Sequence, residues 1–183
     1  ISATARERDC PYIWNAHAKA ARKGGISEAT LTATRDNAAL GGLPPHEAAV
    51  VAYARQLLRT NRVGQPTFDA LLNAHGPKWL VELTGFIGRY AALAGILNSF
   101  EVLAGLDAEP LPIPMPNAPG PRGPVAPPRA IPRVVPITQR EQVAEEHRAF
   151  YDAVATARGN VRGPYSILMY SPKLCMLVSA VSN

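Results

Sequence analysis

Eleven of the chain's eighteen prolines fall between Pro110 and Pro136. Proline lacks a backbone N–H and has a fixed φ, so such a run can enter neither a helix interior nor a central strand. The stretch Pro110-Leu111-Pro112-Ile113-Pro114-Met115-Pro116 and its sequel are therefore predicted to be extended and stiff. This makes 108–137 a semi-rigid linker. A docking segment for a proline-recognising module is the rarer use of such a composition. Two blocks remain to fold, residues 1–107 and 138–183.

Both blocks carry helical periodicity, and neither shows a strand alternation. The fold class read from them is all-α. Residues 1–9 read as the tail of a helix. Pro11 disfavours helix at Cys10 but suits a first helical position, so a helix is predicted from Pro11 to Lys23, stopped by Gly24-Gly25. Ser27 caps a second helix over 28–38. A third runs over 46–61, with Val50, Val51, Ala54, Leu57 and Leu58 on one stripe. A short fourth follows Pro66 and ends at His75-Gly76.

The longest helix is predicted over 77–103. Leu80, Leu83, Phe86, Ile87, Tyr90, Leu93, Ala94 and Leu97 give it a broad apolar face, so it is expected to be buried on most sides or to make a subunit contact. Its run from Trp79 to Phe100 is interrupted by Glu82 and Arg89, too much so for a membrane span. After the linker, Thr138 and Glu141 have capping-box spacing. They predict a helix to Arg158 with Val143, Phe150 and Val154 on one face. Arg162-Gly163-Pro164-Tyr165 reads as a turn. Ser171-Pro172 opens a last helix with Leu174, Leu177, Val178 and Val181 on its stripe.

Composition narrows the function. The net charge is +5, and fifteen of the nineteen basic residues are scattered arginines. No basic run is interleaved with aromatics, so no nucleic-acid partner is expected. Cys10 and Cys175 stand far apart, which is neither a disulfide framework nor a four-ligand zinc pattern. A reducing, cytoplasmic setting is expected, with no metal and no cofactor.

Chemistry concentrates in Cys10-Pro11-Tyr12-Ile13-Trp14-Asn15-Ala16-His17. Residues three, four and seven apart share a helix face, so Cys10, Ile13, Trp14 and His17 line one side. A thiol at a helix start is biased toward thiolate. His17 is the side chain best suited to moving protons near neutral pH. The plainer readings are that Cys10 is a small core filler and that Tyr12 and Trp14 are packing residues. His46 and His75 lie at helix ends and His147 on a charged face, where capping or solvation accounts for them.

The segment Arg6-Glu7-Arg8-Asp9-Cys10-Pro11-Tyr12-Ile13-Trp14-Asn15-Ala16-His17-Ala18 resembles the core motif of the carboxymuconolactone decarboxylase family, which includes the AhpD-like alkylhydroperoxidases. Gly25-Ile26-Ser27, Pro45-His46-Glu47-Ala48, Val81-Glu82-Leu83 and Ile87-Gly88-Arg89-Tyr90 follow in matching order, so the resemblance spans residues 1–107. Residues 145–152, Arg162-Gly163-Pro164-Tyr165-Ser166-Ile167-Leu168 and Ser171-Pro172 resemble the start of such a domain. The order is then the back of one domain, a linker and the front of a second. A slice of a tandem fusion is expected, with circular permutation as the alternative.

The resemblance implies an AhpD-like helical bundle that forms a homo-oligomer and acts on a small molecule. Where the peroxidase branch has a second cysteine, this chain has Ile13, which removes the resolving thiol. The helper glutamate of that branch would fall just before Ile1, and Glu7 is not at its position. Tyr12-Ile13-Trp14 is closer to the non-redox branch, which handles small organic acids and lactones by proton transfer. His17 is then the proton-transfer residue, with Cys10 beside it as pocket wall or accessory thiol. Tyr12, Ile13 and Trp14 contact the substrate, and Arg162 holds its carboxylate. The alternatives are a one-cysteine peroxidase using Cys10 with an external reductant, and a non-catalytic oligomerisation or binding domain.

Overall fold

The computed structural model describes residues 1–105, 107–117 and 134–180. Among these residues all regular structure is helical, as the periodicity required. The first helices are α1 (Ser2–Glu7), α2 (Pro11–Lys23), α3 (Glu28–Arg35), α4 (Pro45–Thr60) and α5 (Gln65–Ser99). Then come 3-10 turns at Arg140–Gln142 and Glu145–His147, followed by α6 (Arg148–Arg158), α7 (Pro164–Leu168) and α8 (Pro172–Ala180).

Local chemistry explains the joints. Pro11 leaves Cys10 extended, at φ −108° and ψ 94°, and becomes the first residue of α2. At the other end the Ile26 N–H donates to the Ala21 carbonyl (3.0 Å), across a left-handed Gly25 (φ 84°). Ser27 Oγ accepts from the Thr30 N–H (3.2 Å) and donates to Glu47 Oε2 (2.7 Å). The cap of α3 is thereby tied to the first turn of α4. In α5 the helix breaks at Gly76, whose φ of 79° and ψ of 170° are open essentially to glycine alone. The predicted stop at His75-Gly76 is therefore real, although the helix resumes at once.

The chain divides into two compact units, residues 1–95 with 104–127, and residues 96–103 with 128–183. In the first, Tyr53, Ala54, Leu71, Leu80 and Ile87 form a core to which Val50, Leu57, Leu58, Phe68 and Leu83 add. The Tyr53 hydroxyl donates to Thr84 Oγ1 (2.8 Å), which itself donates to the Leu80 carbonyl (2.7 Å), joining α4 to α5. Glu7 is buried and takes a two-pronged pair from Arg59, at 2.7 and 2.6 Å. Bidentate geometry and few remaining unpaired lone pairs make this burial tolerable.

Residues 109–117 of the proline stretch are strapped to this unit. Leu111 and Met115 are buried. The Glu109 N–H donates to Asn15 Oδ1 (3.1 Å), and its carboxylate meets Arg22 at 2.8 Å. Asn37 Nδ2 donates to the carbonyls of Pro116 (3.1 Å) and Asn117 (2.7 Å). A proline run has unused carbonyls, and Asn37 takes two of them. The rest of the predicted linker, 118–133, lies outside the described residues, as does Val181.

Several expectations need correction. The long helix ends at Ser99 rather than near Leu103, and it is not buried on most sides within this chain. Its 18-residue apolar window has mean hydropathy 1.4, yet only 28% of that window is buried. Val81 is 72% and Phe86 48% exposed. By length and composition α5 is long and apolar enough to cross a membrane. The helix predicted from Thr138 starts only at Arg148. Gln142 Oε1 instead accepts from the backbone N–H groups of Thr138 and Gln139, both at 2.8 Å, and the box is built by Gln139 and Gln142. Side-chain bonds of this kind compete with helix, and Val143 then turns extended and buries its side chain. Finally, Pro164 opens helix α7 where only a turn was expected. In α8 it is Cys175 and Ser179 that are buried, while Leu174 and Leu177 are exposed.

The second unit closes on small contacts. Arg140 pairs with Asp152 in two bonds (2.8 and 3.0 Å), and the Tyr151 hydroxyl donates to the Thr138 carbonyl (2.6 Å). Arg158 donates to the Ser179 carbonyl (2.8 Å) and lies over the Tyr165 ring at 5.0 Å. Leu97, Ile137, Val143, Val154, Val161, Ile167, Leu168, Met169 and Cys175 are its buried apolar residues among those described.

Candidate functional site

The predicted face of α2 exists, because the Pro11 restart sets its phase. Cys10, Ile13 and Trp14 are buried, and Tyr12 and His17 are half-buried. His17 meets Tyr90 of α5 edge to face, with ring centroids 4.9 Å apart at 83°. Tyr90 in turn has the Arg89 guanidinium 5.6 Å from its ring centroid. The sequence placed Tyr90 on the apolar stripe of α5, and nothing in its spacing showed that it would stand against His17.

The electrostatics separate the histidine from the thiol. Burial holds His17 down at about 4. The ring is thus a neutral imidazole at neutral pH. Among the described residues no group hydrogen-bonds to it. Burial pushes the Cys10 thiol up to about 11, against the lowering effect of the Ile13 and Tyr12 backbone N–H groups. A helix start was expected to favour thiolate, but here the desolvation is larger.

Trp14 adds a feature with no sequence signature. Its side chain is fully buried, yet its Nε1–H has no acceptor among the described residues. Buried indole N–H groups usually find a partner, and an orphan buried donor calls for an explanation. His17 and Trp14, on one face of α2, thus offer an open imidazole and an unused donor.

Arg162 lies outside the unit that carries α2. It is exposed and belongs to the second unit, where its carbonyl accepts from the Tyr165 N–H (3.2 Å). The structure also brings together two histidines that the sequence treated separately. His75 Nε2 lies 3.2 Å from His46 Nδ1. They are 29 positions apart, at the start of α4 and the break of α5, and only tertiary packing joins them.

No family model, no curated protein and no solved structure matches the chain.

Proposed function

We propose that this chain is a carboxymuconolactone-decarboxylase-like protein with an AhpD-like bundle, acting on a small organic acid or lactone by proton transfer at His17. The observation that carries the reading is the half-buried, neutral His17 imidazole, which has no hydrogen bond among the described residues, on the same helix face as the Trp14 N–H, which has no acceptor among them. A neutral imidazole can take a proton from a carbon beside a carbonyl and return it from the imidazolium. The Trp14 N–H would donate to a substrate oxygen, and Tyr12 and Ile13 would shape the pocket. Cys10 would be a pocket wall, because a thiol raised to about 11 is not an accessory nucleophile near pH 7. Arg162 would bind a carboxylate, as the resemblance implies. The two blocks would be parts of neighbouring domains in a tandem, cytoplasmic protein.

The test is turnover of small lactones and unsaturated carboxylic acids by the protein and by His17→Asn. Loss of a general base lowers the rate by about 100-fold or more. Unchanged turnover in a folded His17→Asn variant would remove His17 from the mechanism.

A second reading has its own observation. Val81, Gly85, Gly88, Ala92 and Gly95 recur at alternating spacings of four and three along α5, and all are exposed. A Cβ at Gly85, Gly88 or Gly95 would meet nothing within 4 Å. Such a seven-residue period of small, uncharged residues suits close packing against a like helix. On this reading the chain is a homo-oligomer through α5, whether or not it is catalytic.

A further inference from the structure

We propose that His46 and His75 form a binding site for a divalent transition-metal ion, held by two imidazole nitrogens with its other positions open to water. Imidazole is a ligand of choice for zinc, copper and nickel. With metal–nitrogen bonds of about 2.05 Å, two nitrogens on one ion stand about 2.9 Å apart at a right angle and about 3.3 Å apart at a tetrahedral angle. His46 Nδ1 and His75 Nε2 are 3.2 Å apart, inside that range. The same separation lies at the long end of the hydrogen-bond range. Both rings are exposed, so water could satisfy each without the other.

The pair is held by more than its own contact. His75 stacks on half-buried Trp79, with ring centroids 4.1 Å apart at 27°. His46 meets His75 edge to face at 4.9 Å and lies 6.4 Å from Trp79. Gly76 supplies the backbone break on which His75 sits. His46 is fixed at the second position of α4, after Pro45. The nearest lysine in sequence, Lys78, is directed to Glu82 (4.0 Å) rather than to the rings. Among the described residues no group of three or more His, Cys, Asp and Glu has metal-binding spacing. The ion therefore has two protein ligands and binds exchangeably, copper most tightly.

Trp79 reports the site, since a paramagnetic copper ion at His75 quenches the indole stacked on it. The protein is titrated with copper sulfate, reading tryptophan fluorescence, and with zinc chloride by calorimetry, both in a non-coordinating buffer. One equivalent is expected to saturate at micromolar copper. His46→Ala and His75→Ala each weaken binding on the order of tenfold or more, since even outer-shell partners of a metal are worth that much. Both variants keep the metal-free thermal midpoint, because both side chains are exposed. His147→Ala titrates like the unaltered protein, and Trp79→Phe loses the quench but keeps the calorimetric zinc signal. If His46→Ala and His75→Ala titrate like the unaltered protein, or no saturable binding occurs below millimolar metal, the pair is only an imidazole–imidazole contact and the proposal fails.

Discussion

At the scale of single residues, burial decides what each candidate group can do. His17 is the clearest case. Its pKa falls from 6.5 to about 4, mainly through burial. Between those values the unfolded chain binds a proton that the folded chain does not. Stability therefore rises with pH across that window, is fully present above about 6.5, and is lost as pH falls toward 4. Allowing for the ring's partial exposure, the effect is about 1–2 kcal/mol. Unfolding free energies from urea titrations at pH 4.5 and 7 should differ by that much more in the unaltered protein than in His17→Asn. Equal pH dependence in the two would show that His17 is not buried as described. The thiols follow the same logic. Cys10 and Cys175 are both pushed up to about 11 by burial. Iodoacetamide at pH 7.5 should label neither at an appreciable rate until denaturant is added, and peroxide should yield no trappable sulfenic acid. Rapid labelling of Cys10 in the folded protein would restore the one-cysteine peroxidase reading.

At the scale of elements, the break in α5 carries the sharpest expectation. Gly76 adopts φ 79° and ψ 170°, and a Cβ there would meet no neighbour. The cost of Gly76→Ala is thus purely conformational, about 1–3 kcal/mol, and appears as a lower thermal midpoint. The same substitution should shift His75 away from His46 and weaken copper binding, which a mere stability defect would not do below the melting range. If Gly76→Ala leaves the midpoint unchanged, the break is not an obligatory feature of the helix. The capping interactions show the converse lesson. Ser27 behaves as its position in the sequence implies, whereas Thr138 does not. Gln142 captures the Thr138 and Gln139 N–H groups, and the helix expected there is replaced by a tight 3-10 turn.

For the molecule as a whole, the exposed face of α5 must be accounted for. An apolar helix only 28% buried over its richest window is poorly suited to standing alone in water. A second copy packed along Val81, Gly85, Gly88, Ala92 and Gly95 would cover it. Light scattering should then give a mass of at least twice 19.6 kDa, and Gly88→Glu should reduce it to that of a monomer. A monomer at high concentration sinks the oligomer reading. Recovery of the chain with lipid vesicles instead would assign the face to a membrane.

What the sequence by itself determined was local. The all-α class, the restart at Pro11, the stops at Gly24-Gly25 and Gly76 and the shared face of Cys10, Ile13, Trp14 and His17 follow from backbone sterics and helical period. These act over a few residues and are written in adjacent letters. What tertiary structure decided was which of those residues meet others far along the chain. It set His17 against Tyr90, closed His46 onto His75, and strapped Glu109 and Met115 to the first unit. It also fixed the protonation of Cys10 and His17. Desolvation depends on everything packed around a group, so the thiolate bias of a helix start could be read from the sequence, but the burial that outweighs it could not.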